Sequence, residues 1–181
     1  MMRKLNIIVI VGILLTVLCH ILIGSFMLLG ADNTIPEVLS CTALTLTGIH
    51  AVISSVLTVK TLRIRKKAGA GYFKENLMFW ARRISGFAII IPLVMHVVIF
   101  TGTTNGEMYR LVVFDIGRLI SQLLFAATLL LHLVINLNPL LMGMGVRQHK
   151  GLSGDLCFVL SVVLLLASVG FLIYYIRWVS F

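Results

Sequence analysis

The chain has 181 residues, of which 60% are hydrophobic and only 12% are charged, and its formal net charge is +9. A water-soluble domain of this length has too little interior to bury so much apolar surface, so the composition indicates an integral membrane protein. The basic excess does not indicate a nucleic-acid-binding protein, because the basic residues flank apolar segments, where they set topology and contact anionic lipid headgroups.

Apolar runs long enough to cross about 30 Å of hydrocarbon as helices recur along the chain. A bilayer offers the backbone no water, so the spans are helices or a closed barrel, and these runs are too long and too uniformly apolar for barrel strands. Pro36 occupies a first-turn position, whereas Pro92 and Pro139 lie inside spans and can kink them. We therefore predict an all-α bundle, a single domain over 1–181, with five transmembrane helices at about 5–30, 36–60, 78–103, 112–142 and 156–176.

The basic residues are distributed unevenly between the two predicted faces. Twelve of the 15 flank the N-terminus, the connection between the second and third spans, or the connection between the fourth and fifth; the other three are Arg110, Arg118 and Arg177. The positive-inside rule predicts a cytoplasmic N-terminus and an outside C-terminus in a multi-pass protein of the inner (cytoplasmic) membrane.

The first segment and the cysteines carry no separate signal. The N-terminal apolar run is too long for a signal peptide and lacks a small-x-small cleavage site, so we expect a retained helix. Cys19, Cys41 and Cys157 form no C-x-x-C spacing and lie in or near apolar spans, so we expect buried thiols without a redox role.

Four of the five spans contain a single histidine: His20 in VLCHIL, His50 in GIHAVI, His96 in LVMHVV and His132 in LLHLVI. An ionisable side chain inside a bilayer is expensive and marks function by default. One such residue alone can be a neutral imidazole that bonds a carbonyl on the next helix. The occurrence of one such histidine in each of four spans favours a shared role.

The helical rise of 1.5 Å per residue sorts these histidines into two levels. His20 and His96 lie roughly 20–24 Å from the basic cytoplasmic ends of their spans, and His50 and His132 roughly 9–15 Å from the corresponding ends. Each level joins two helices, which is the geometry that clamps an iron porphyrin from both faces. A zinc site needs three or four ligands at one depth, and a proton relay normally includes mid-membrane carboxylates. We therefore predict two b-type haems, the outer held by His20 and His96 and the inner by His50 and His132.

The segment GIHAVI at 48–53, the basic loop after it and FWARRISGFAIIIPLVMHVVIF at 79–100 resemble the membrane cytochrome b subunit of succinate dehydrogenases and fumarate reductases, in its five-helix, two-haem class. The resemblance covers the first four helices, and the fifth matches in position only. It implies the same haem pairing, a cytoplasmic iron–sulfur subunit with an FAD flavoprotein subunit, and electron exchange with menaquinone. This chain has no cysteine cluster and no dinucleotide motif, so by itself it would not act on the dicarboxylate.

Carboxylates in the hairpin GADNTIPEVLS are candidates for a quinone site. Quinone redox moves two protons with two electrons, so Asp32 or Glu37 could handle protons there, and the resemblance favours an acidic residue in this hairpin. The alternative is a polar turn that caps the second helix.

Polar and basic side chains near the spans are candidate partners of haem propionates, because guanidinium and ammonium groups pair with carboxylates. Arg118 could instead pair with Asp115, one turn away, and the alternative for the others is a set of topological charges at helix ends. The candidates are Ser54, Lys60, Arg82, Arg83 and Arg118.

Two other function classes stay open from the sequence. One is a di-haem membrane cytochrome of another redox complex, such as an iron-reducing, formate-oxidising or hydrogen-oxidising one. The other is a haem-free helical membrane protein, a transporter or assembly factor, whose histidines bond internally. If the chain is the anchor that the resemblance implies, its soluble partner could also act on an enoate other than fumarate.

Overall fold

The structure, a computed structural model, describes residues 2–29, 36–67, 76–101, 104–105, 108–109, 114–146 and 151–180. In these ranges the chain forms α1 (Met2–Leu28), α2 (Pro36–Lys67), α3 (Leu77–Phe100), β1 (Thr104–Asn105), β2 (Met108–Tyr109), α4 (Ile116–Gly143) and α5 (Leu152–Val179). All five helices are long and apolar enough to cross a membrane, which confirms the predicted helical membrane architecture. The short antiparallel ribbon β1–β2 between α3 and α4 was not predicted.

The helix ends follow local sequence. Pro36 is the first residue of α2, where its missing N–H costs nothing. Helix α2 continues to Lys67, past the predicted end of the span, because its lysines and arginines are good helix formers. Helix α4 begins later than the predicted span because Asp115 caps it, accepting a hydrogen bond from the backbone N–H of Arg118 at 2.8 Å.

The helices pack as two hairpins joined by α5. Helix α1 lies along α2, α3 lies along α4, and α5 contacts both α1 and α4. Among the described residues no other helix pair packs extensively, so the packing order is α2–α1–α5–α4–α3. Between the hairpins the contacts are local, as where the Nε of Arg83 donates to Thr58 Oγ1 at 3.2 Å.

Side-chain contacts define the two ends of the bundle. The Nζ of Lys60 approaches the Sδ of Met2 at 3.8 Å, so the start of α1 meets the later part of α2. We call the end with Met2, Lys60 and Arg83 the basic end. At the opposite, distal end, Arg177 of α5 donates to the carbonyl of Leu29 at 3.1 Å, so α1 and α5 run parallel.

An apolar core lies at the distal end, where α3, α4 and α5 converge. Phe114 is fully buried at its centre, with its ring centroid 5.2 Å from that of Tyr174. Phe171 packs against Phe100 with their centroids 5.9 Å apart. The buried members of this core are Ile99, Phe114, Leu119, Ala167 and Phe171.

Elsewhere the helices turn large apolar side chains outward. Ile91 is 76% exposed and Phe158 70% exposed, as expected where lipid, not protein, surrounds the helix. Cys19 and Cys41 are also exposed, so the expectation of buried thiols is wrong for both. The apolar run around a transmembrane residue does not distinguish a lipid-facing position from a protein-facing one.

Replacing Phe114 with Ala should lower the thermal stability of the purified protein, because it opens a cavity in the distal core. Buried Phe→Ala changes typically lower the free energy of unfolding by about 3–5 kcal/mol. We expect a decrease at or below the lower end of that range, because a lipid environment reduces the free energy gained by burying an apolar side chain. Phe158→Ala, at a lipid-facing position, is the matched control and should leave the melting temperature in detergent unchanged. Equal destabilisation by both changes would contradict the assigned core.

Candidate functional site

His20 of α1 and His96 of α3 meet between the two hairpins. Their ring centroids are 6.1 Å apart and their planes make an angle of 84°. Because α1 and α3 do not pack extensively, the two rings reach towards each other across the space between the hairpins. Phe100 and Phe125 lie beside His96, with ring centroids 4.9 and 5.0 Å from its own. Two aromatic rings therefore pack against the His96 side of this pair.

His50 of α2 and His132 of α4 form the second level, nearer the basic end. Their helices, too, are not extensive packing partners. Gly86 of α3 lies against His132, since a Cβ at that glycine would be 3.3 Å from the ring's Cε1. The structure thus brings together His20 and His96, the pair that the depth estimate places farther from the basic end.

Within each hairpin, every histidine is held through Nδ1 by an oxygen on the partner helix. Each helix supplies one histidine and one acceptor, so each hairpin is joined twice. The Nδ1–oxygen distances are 3.2 Å from His20 to Ser40 Oγ, 3.1 Å from His50 to Asn6 Oδ1, 2.7 Å from His96 to Gln122 Oε1, and 3.0 Å from His132 to Ser85 Oγ. Such contacts orient an imidazole and select its tautomer.

For His50, His96 and His132, the hydrogen-bond partners place the ring proton on Nδ1. The amide oxygens of Asn6 and Gln122 can only accept hydrogen bonds, so the imidazoles donate to them. Ser85 donates its hydroxyl to the carbonyl of Arg82 at 3.2 Å, so its oxygen accepts from His132. A neutral imidazole with its proton on Nδ1 keeps a lone pair on Nε2, the atom that binds a metal.

Two further polar groups touch the second level. The amide nitrogen of Asn136 is 3.3 Å from Nδ1 of His132 but donates to that residue's carbonyl at 2.8 Å, its better-formed bond. Ser54 Oγ lies 3.4 Å from both nitrogens of His50, at the edge of the ring. Among the described residues, no hydrogen bond reaches Nε2 of His20, His96 or His132.

The rings of His20 and His96 are far enough apart for a metal ion to be held between them. Two metal–nitrogen bonds of about 2 Å, with about 1 Å from each nitrogen to its ring centre, place imidazole centroids roughly 6 Å apart. The observed 6.1 Å matches, and perpendicular ring planes are compatible with two rings on a common axis. Gly24 is one turn from His20 and has no atom within 4 Å of its Cβ position, so that face of α1 is open to a flat macrocycle. The residues present therefore fit haem.

Of the residues predicted to contact haem propionates, those at the basic end lie in different surroundings. The Nε of Arg82 is buried and has no hydrogen-bond partner among the described residues, which is unusual for a guanidinium. The guanidinium of Arg83 stacks on Phe79, with Cζ 3.7 Å from the ring centroid, and also donates to Thr58. Lys60 is exposed. The Nε of Arg82 is therefore a buried donor that suits a carboxylate.

Other predicted site residues lie elsewhere. Arg118 is half-buried in the first turn of α4 at the distal end, on the side of the outer pair. Asp32 lies outside the described residues. Glu37 falls in the first turn of α2, with its side chain outside the described part.

Sequence reasoning missed the acceptors Asn6, Ser40, Ser85 and Gln122. The signal that could have found two of them is an amide inside an apolar span, as at Asn6 and Gln122, because such groups need a partner on another helix. Within the described ranges no cluster of three His, Cys, Asp or Glu side chains is placed to hold a metal ion, and the histidines occur as pairs.

The five spanning helices define a multi-pass α-helical membrane protein. Comparisons with known protein families, curated proteins and solved structures find no match. The functional reading therefore depends on the residues and their geometry.

Proposed function

We propose that this chain is a di-haem cytochrome b that anchors an iron–sulfur subunit and an FAD flavoprotein subunit to the inner membrane and transfers electrons between them and menaquinone. The observation that carries the proposal is the approach of His20 of α1 to His96 of α3 across the space between the hairpins, with His50 of α2 and His132 of α4 nearer the basic end. Every ring is held through Nδ1.

The chain's own residues would bind and orient two haems. Haem would supply one-electron chemistry, with His20 and His96 as the ligands of one group and His50 and His132 as the ligands of the other. The oxygens on Nδ1 of His50, His96 and His132 would keep these rings in the tautomer that presents Nε2 and would raise their basicity. Phe100 and Phe125 would keep water from the outer level.

A haem-free bundle is the main competing reading. It would use the imidazoles as internal hydrogen-bonding groups, and a fully satisfied polar network would engage both ring nitrogens. Here the Nδ1 atoms are engaged within hairpins, whereas the rings of His20 and His96 lie 6.1 Å apart between the hairpins, and among the described residues no hydrogen bond joins them. That pattern is typical of ligands and their orienting partners.

The basic end is suited to haem propionates and to a soluble partner. The buried Nε of Arg82 would donate to a propionate oxygen of the inner haem. Ser54 and the exposed Lys60 are further candidate partners of that propionate. Arg118 would serve the outer haem. The exposed Lys66 and Lys67 at the end of α2 offer a surface for the partner subunits. The proposed partner reaction is succinate oxidation or fumarate reduction, or the equivalent reaction of another enoate.

Replacing any one of the four histidines with Ala should remove one b-type haem, because no spare ligand lies at either level. We expect His20→Ala and His96→Ala to lose one haem, and His50→Ala and His132→Ala the other. Reduced-minus-oxidised spectra and the haem-to-protein ratio of the purified protein measure this. His149→Ala, the fifth histidine, is the control and should retain both haems. Retention of both in a site variant would remove the ligand claim for that residue.

Assembly with the partner subunits should shield the end of α2. Lys66 is exposed in the isolated chain, so its labelling by an amine reagent in native membranes should fall several-fold when the complex is present, as mass spectrometry would report. Labelling of Lys74, which lies in the predicted connection between the second and third spans, should fall in the same way. Unchanged labelling of both would mean that the partner binds elsewhere or is absent.

If the quinone reacts near the outer haem, its reduction should respond to membrane potential. Moving one charge through the full potential is worth about 2.3 kcal/mol per 100 mV, and electrons that run outward from succinate go downhill when the inside is negative. An uncoupler should therefore slow succinate-driven menaquinone reduction in sealed vesicles energised inside-negative and have no effect in detergent. Rates that ignore the potential would argue for a quinone site on the cytoplasmic side and against Asp32 and Glu37 as proton handlers.

A further inference from the structure

Gln122 stands apart from the other acceptors of the histidine pairs. Its side chain is fully buried, and its Oε1 lies 2.7 Å from Nδ1 of His96, the shortest of the four Nδ1 contacts. Its Nε2 donates to Ser121 Oγ at 3.1 Å, and Ser121 donates to the carbonyl of Arg118 at 2.8 Å. A continuous chain of donors and acceptors therefore runs from His96 to the backbone of the first turn of α4.

The direction of this chain is set at each step. The Ser121 hydroxyl gives its proton to a carbonyl, so its oxygen accepts from the Gln122 amide. The amide oxygen is thereby turned to His96, where it can only accept. Bonds aligned in this way polarise one another, and burial strengthens them.

A hydrogen bond from Nδ1–H makes an imidazole a more basic ligand. A more basic axial ligand stabilises ferric relative to ferrous iron, so it lowers the reduction potential. His132 donates to a serine hydroxyl at 3.0 Å instead of a polarised amide. The ligands of the two levels are therefore not equivalent in their surroundings.

We propose that Gln122 is a positioning residue that fixes the ring of His96 and lowers the reduction potential of the haem bound by His20 and His96. The inference rests on the proposed function. Its basis is the buried, 2.7 Å contact and the directional chain behind it.

Two substitutions separate the acceptor from the shape of the side chain. Gln122→Met keeps the length and removes the strong acceptor, so the midpoint potential of that haem should rise. We expect about a tenfold change in its oxidised-to-reduced ratio at fixed potential, equivalent to about 59 mV for a one-electron couple. Gln122→Glu keeps an acceptor oxygen at the same reach, so its midpoint should stay at or below that of the unmodified protein. Optical redox titration of the purified di-haem protein measures both haems separately.

The controls are Ser85→Ala, which should shift only the other haem, and Ser25→Ala, a buried serine that bonds only within its own helix and should shift neither. Loss of the haem in Gln122→Met with retention in Gln122→Glu also supports the role of the acceptor. An unmoved midpoint in Gln122→Met, or a rise or haem loss in both variants, overturns the inference. Absence of haem from the unmodified protein would instead refute the proposed function itself.

Discussion

The bilayer supplies no hydrogen-bond partners, and the arrangement of this protein follows from that constraint. Serine and threonine satisfy it locally, as Thr16 and Ser168 do by donating to carbonyls of the preceding turn. An imidazole cannot do the same with its ring nitrogens and needs a partner on another helix. The four histidines therefore join α1 to α2 and α3 to α4, with two bonds in each hairpin.

The two hairpins have the same arrangement of polar residues along their helices. Each of α1–α4 carries an acceptor and, ten to fourteen residues further along, a histidine. When two such helices run antiparallel, the acceptor of each faces the histidine of the other. Bonding inside the hairpins leaves the space between them nearly free of direct helix contact, and α5, which has no histidine, closes one side by packing on both. In the proposed function, haem would complete the contact between the hairpins and couple its own binding to assembly.

Hydropathy and helical rise were enough to predict five helices and the grouping of His20 with His96, because both depend only on position along a helix axis. The acceptors were not predictable in this way. Whether Gln122 faces His96 depends on how α4 is rotated about its axis, and the apolar residues around it are lipid-facing and core-facing alike. The buried Nε of Arg82, which has no partner in the described part of the chain, and the cap at Asp115 likewise depend on side-chain directions that a span prediction does not contain.

Charge explains why the polar groups of the proposed site are distributed as they are. An electron that enters a low-dielectric interior adds a negative charge there, and neutral imidazole ligands bring no further negative charge to it. The described spans accordingly place amides and hydroxyls, not carboxylates, beside the four rings. In the proposed function carboxylates would enter with the haem, as propionates, and the buried Nε of Arg82 would be a donor to them at the basic end. In the proposed function, neutral partners on Nδ1 would therefore adjust each haem separately, without altering the net charge that the membrane interior has to accommodate.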